Sequence, residues 1–139
     1  MAIETTPPTP ASAAVQQGWI LVLMEERRLR QLLLTVLSQA GYVLLGCASL
    51  AEAEPILRQQ AAPSLILLDG SGASEVAVRE QLHQIARLLP AGATCKVIVF
   101  SLAHPLPRLQ RLPGVDAVIA RPFDLVQVLA AVEKLMQAA

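Results

Sequence analysis

Five short apolar runs, WILVLM (19–24), YVLLGCA (42–48), SLILLD (64–69), KVIVFS (96–101) and DAVIA (116–120), alternate with segments that carry the period of helices. WILVLM is apolar at every position, so a strand there must be covered on both faces. After it, Leu29, Leu32, Leu33, Val36, Leu37 and Ala40 recur on one helical face, with Arg27, Arg28, Arg30 and Gln31 on the other. Gly41 is placed to end that helix. Ser49 and Glu52 form a capping box for a second helix, apolar at Ala53, Ile56 and Leu57, with Pro55 tolerated as near its first turn. Ser74 is the expected cap of a third, whose face is Val78, Leu82, Ile85 and Leu89. The segment LAHPLPRLQRLPG has three prolines. That leaves room only for a short helix around Arg108 to Leu112. A last helix follows, with Leu125, Val128, Leu129, Val132 and Met136 on one side.

Strands that alternate with helices imply an α/β fold with a parallel sheet, because parallel neighbours need crossover connections. Those crossovers are right-handed, which puts helices on both faces of a doubly wound sheet. Five strands suit the order 2-1-3-4-5, with one topological switch point, between the first and third strands. Ligands and chemistry are expected at the carboxyl ends of those two.

The 139 residues, 54% of them hydrophobic, are enough for one domain over 18–139. Residues 1–17, rich in Pro, Thr, Ser and Ala, lack apolar periodicity and are expected to be a flexible tail. Eleven basic and eleven acidic residues balance. No global field therefore recruits nucleic acid or a membrane surface. Aromatics at 3% also argue against base-stacking platforms. Cys47 and Cys95 match no metal or redox spacing and read as small buried hydrophobes. His83 and His104 read as surface residues, and ERRLR as a solvated helix face. No apolar run reaches membrane-spanning length, so a cytoplasmic location is the default expectation.

The first strand ends in Met24, Glu25 and Glu26, and the third ends in Asp69. The switch point brings Glu25, and Glu26 less directly, toward Asp69. Carboxylates that close disfavour joint ionisation unless a cation sits among them, and Mg²⁺ suits a few carboxylates, a backbone carbonyl and retained waters. Ser101 ends the fourth strand and Arg121 follows the fifth, adding a hydroxyl and a cation fit for an oxyanion. Asp69 is then the candidate nucleophile toward a phosphoryl group.

These residues resemble the receiver domain of bacterial response regulators. The resemblance is carried by ILVLMEE, LILLD, VIVFS and ARPFD, and by their intervals of 44 residues from Glu25 to Asp69, 32 to Ser101 and 20 to Arg121. It implies a two-component signalling module rather than an enzyme, with Asp69 as phosphoacceptor. It also implies Glu25, Asp69 and the backbone carbonyl of Ser71 as Mg²⁺ ligands, and Ser101 and Arg121 as phosphoryl contacts. The phosphodonor would be a histidine kinase or a phosphotransfer protein, and the output protein would act in trans. A homodimer would use the face formed by the family's fourth helix, fifth strand and fifth helix.

Four departures stand out. Met24 occupies the place of the first acid, so weaker metal binding is expected. Arg121 replaces a lysine, a planar fork for a compact ammonium. The loop after Asp69 reads GSGASEV, without the usual proline. Val118 stands where the family has an aromatic switch residue. The alternative reading is a phosphorylation-independent pseudo-receiver that binds proteins. A flavodoxin-like ligand domain is disfavoured, because MEERRLR has no glycine-rich loop to cradle a phosphate.

Overall fold

The computed structural model describes residues 18–59, 61–70, 74–102, 112–121 and 123–138. The segment 1–17, Ser71 and most of the expected helix around Arg108 lie outside the described residues. Among the described residues nine elements follow in the order β1 (Ile20–Leu23), α1 (Arg27–Gln39), β2 (Leu44–Cys47), α2 (Leu50–Gln59), β3 (Leu65–Asp69), α3 (Glu75–Leu88), β4 (Lys96–Leu102), β5 (Ala117–Arg121) and α4 (Leu125–Ala138). All strand pairs are parallel, in the order β2-β1-β3-β4-β5. The expected strand order is the observed one.

Side-chain alternation divides the core in two. Ile20, Val22, Met24, Leu65, Leu67, Ile98, Phe100 and Ile119 face α1 and α4, where they meet Leu33, Leu37, Val128 and Val132. Leu21, Leu23, Ile66, Leu68, Val97 and Val99 face α2 and α3, where they meet Leu57, Val78, Leu82 and Ile85. The inner strands are therefore apolar at successive positions because each neighbour belongs to a different layer. Burying each large side chain contributes about 1.5–3 kcal/mol.

Helix ends follow their local chemistry. Ser74 accepts from Ala77 N at 3.1 Å and starts α3. Ser49 accepts from Glu52 N at 3.3 Å, while Glu52 Oε1 accepts from Ala48 N at 2.8 Å, one residue before the cap, a variant of the expected capping box. Gly41, at φ +101°, takes the left-handed turn after α1.

Three expectations need correction. Leu32, assigned to the buried face of α1, is 43% exposed, whereas Leu34 is buried. At 100° per residue Leu32 lies well over a quarter-turn from the centre of the Leu29, Leu33, Leu34 and Leu37 face. Ala40 and Leu89 are caps that follow α1 and α3 rather than helical residues. Pro55 sits in the second turn of α2, not near the first, because the helix starts only at Leu50. The amide hydrogen it lacks would have faced the carbonyl of Ala51.

Candidate functional site

The sheet register sorts the residues at its carboxyl edge into rows. Leu23 pairs with Leu68, Asp69 with Phe100, and Phe100 with Ile119, so Met24 and Asp69 share a first row. Ser101 pairs with Ala120 in a second row, which Glu25 joins. Leu102 pairs with Arg121 in a third, and Glu26 lies at its level. Backbone bonds continue the ladder past the strand ends, from Met24 N to the Cys47 carbonyl at 3.0 Å and from Gly70 N to the Phe100 carbonyl at 2.6 Å. These bonds fix the rows of Met24 and Gly70, and Glu25 and Glu26 follow in chain order.

In the first row the side chains point into the layer under α1 and α4. Met24 is 0% exposed and packs in the same cluster as Phe100, whose ring meets Phe123 edge-on at 5.2 Å between centroids. The position of the first acid has thus become part of the core. Asp69, between Met24 and Phe100 in the same row, is only partly buried and has hydrogen-bonding or electrostatic company of its own.

The second row holds Glu25 and Ser101. Glu25 is exposed, and its carboxylate makes no hydrogen bond or ion pair among the described residues. Ser101 is only 3% exposed. Gly70, the residue after β3, lies beside it, and a Cβ there would come within 2.8 Å of Val99 Cγ1 and 3.3 Å of Val78 Cγ2. That glycine allows the chain leaving Asp69 to lie against β4 and α3.

The third row contains a contact outside the expected site. Arg121 donates to Glu26 Oε1 at 3.1 Å. Arg121 has the parity of Ile119, which belongs to the layer under α1 and α4. The pair depends on how β1, β3, β4 and β5 line up, so no local signal in the sequence marks it.

A second guanidinium braces the end of β1. Arg30 donates to the Met24 carbonyl at 2.8 Å and lies 3.5 Å from that of Glu25. Its stem passes over Gly46, where a Cβ would sit 3.4 Å from Arg30 Cγ and Cδ and 2.8 Å from Leu34 Cδ1. The small residue in β2 makes room for that arm. Val118, at the place of the aromatic switch residue, is partly buried against the α2–α3 layer and offers no ring.

Mg²⁺ takes oxygen ligands in octahedral order, commonly one or two carboxylates with water. Here the first-acid place holds a buried thioether, and Glu26 is paired with Arg121. Among the described residues no three His, Cys, Asp or Glu side chains group so as to hold a metal ion. The described carboxylates left for a Mg²⁺ ion are Glu25 and Asp69 in adjoining rows, with no oxygen from the first-acid place.

Other features lie away from this edge. Cys47 is buried and Cys95 half-buried, and both are free thiols. Burial pushes Cys47 up to about 11, with Glu52 adding to the rise and Arg30 opposing it. Burial first, then Asp116, pushes Cys95 up to about 12. His83 is exposed, as expected. Trp19 donates to the Ala61 carbonyl at 2.8 Å, at the amino end of β1. No helix among the described residues is long and apolar enough to cross a membrane.

No protein-family model matches the chain, and no curated protein matches it in sequence. Solved structures do match in fold. A CheY-like response regulator receiver domain protein from Methanospirillum hungatei aligns with a TM-score of 0.70 at 19% identity, over 87% of this chain and 94% of the other. The receiver domain of a signal transduction histidine kinase from Syntrophus aciditrophicus gives 0.68 at 24% identity, over 88% and 92%. A response regulator from Thermotoga maritima, solved in complex with Mg²⁺-BeF, gives 0.65 at 22% identity, over 85% and 98%. The chain has the receiver fold.

Proposed function

We propose that this chain is a receiver-fold signalling module that binds proteins, and whose binding state does not depend on Mg²⁺-assisted phosphorylation of Asp69. The observation that carries the reading is Met24, 0% exposed in the core at the place of the first acid. The first-acid place contributes no oxygen, so Glu25 and Asp69 are the described carboxylates left to draw a hard cation, and its affinity falls. Arg121 supplies its charge to Glu26 instead of waiting for an incoming oxyanion. Partners then meet exposed surface directly. Val126 on α4, 75% exposed, lies on the side where the homodimer or an output protein in trans was expected.

A second reading is favoured by Asp69 and the buried Ser101, one row apart on adjoining strands. In it, an Asp69 oxygen forms a bond to phosphorus as the phosphorus–nitrogen bond of a phosphohistidine breaks. The imidazole of the histidine kinase or phosphotransfer protein leaves and takes a proton, while Ser101 and Arg121 contact the phosphoryl oxygens.

The two readings separate when the full chain is incubated with Mg²⁺ and acetyl phosphate, and in parallel with beryllofluoride. Intact mass and amide chemical shifts at Asp69 and Ser101 are the readouts. Trp19 is unsuited as a reporter, because it sits at the opposite edge of the sheet. The expected result is no adduct and no shift. An adduct that disappears in Asp69→Asn overturns the proposal in favour of the phosphoacceptor.

A further inference from the structure

Glu26 and Arg121 are 95 positions apart in the chain. Glu26 lies past the carboxyl end of β1, just before α1, and Arg121 ends β5, with β3 and β4 between those strands. At about 4.8 Å per strand, β1 and β5 are roughly 14 Å apart. Only long side chains extended toward each other bridge that gap. Their meeting point lies over the ends of β3 and β4, the strands that carry Asp69 and Ser101.

Glu26 is also the residue that precedes α1, in extended conformation, yet its side chain makes no cap hydrogen bond. Glutamate is not among the favoured caps, so the side chain is not held by the first turn of the helix. Here the carboxylate is committed to the guanidinium.

We propose that Glu26 is a resident anion for Arg121. Its carboxylate fills the place at the guanidinium where an oxyanion would otherwise sit, and the pair straps the carboxyl edge in one state. This rests on the reading above, in which Arg121 does not serve a phosphoryl group. The side chains are 27% and 53% exposed, so the strap is sensitive to salt and adds little to stability. What it determines is which anion Arg121 holds.

The test uses the full ¹⁵N-labelled chain in EDTA, with inorganic phosphate as the probe and the Arg121 Nε–Hε resonance as the readout. Glu26→Gln is expected to bind phosphate up to about fivefold more tightly than the unmodified chain, the limit for an exposed pair. Arg121→Gln should lose the site. The proposal is overturned if the unmodified chain and Glu26→Gln titrate alike, including if neither responds. Hydrogen exchange over 117–121 gives a second measure. It should quicken in Glu26→Gln and in Arg121→Gln, and no further in the double variant, whereas additive effects overturn the coupling. Inorganic phosphate in EDTA donates no phosphoryl group and supplies no Mg²⁺. An acetyl phosphate adduct would therefore overturn the proposed function while leaving this measurement to stand or fall alone.

Discussion

The two edges of the sheet use their polar side chains differently. At the amino edge Asp116 accepts from Val97 N at 2.8 Å, and Trp19 donates to the Ala61 carbonyl at 2.8 Å. Side chains there satisfy backbone groups and so complete the ladder. At the carboxyl edge Glu26 and Arg121 spend their charges on each other, Glu25 faces water, and Ser101 is buried. An acid that completes a ladder is structural, because the backbone group it serves is always present. An acid that answers another side chain is replaceable, since its partner can be offered another anion. The pseudo-receiver reading belongs to the second kind of edge.

The largest expected effect comes from forcing an acid back into the first row. Met24→Asp should cost about 3 kcal/mol or more, because the carboxylate would enter an apolar layer without a partner. Urea unfolding measures it. A cost under about 1 kcal/mol would mean that the first row opens to water, and the contrast between a sealed and an open position would be lost. At the amino edge, Asp116→Ala should cost about 1 kcal/mol, the ordinary value of one backbone-serving hydrogen bond. It should leave the Arg121 resonance unmoved. A shift at Arg121 would show that the two edges are coupled.

The smallest effect near neutral pH concerns the thiols. Cys47 and Cys95 ionise near 9.0 when exposed but only at about 11 and about 12 in the folded chain. Above pH 9 the unfolded chain holds fewer protons than the folded one, so stability falls as pH rises and levels off past 12. Below pH 9 the contribution is complete. Thermal unfolding between pH 8 and 11 should show the decline, and Cys47→Ala with Cys95→Ala should flatten it.

The element order and both core layers were legible because apolar period is written locally, whereas strand ends were legible only to within a residue: β4 runs past Ser101 to Leu102, and β5 includes Arg121. Leu32 was misassigned because a helix wide enough to bury four leucines leaves the choice of face to its neighbours. Whether Ser71 offers its carbonyl lies outside the described residues.

Sequence alone determined that five apolar runs need a doubly wound sheet and that its switch point collects Glu25 and Asp69. Short-range pattern suffices there, because each strand carries its own burial signal. Only the tertiary structure decided that Met24 points into the core and that Glu26 answers Arg121 across two intervening strands. Both depend on register, and register is set by the packing of all five strands together.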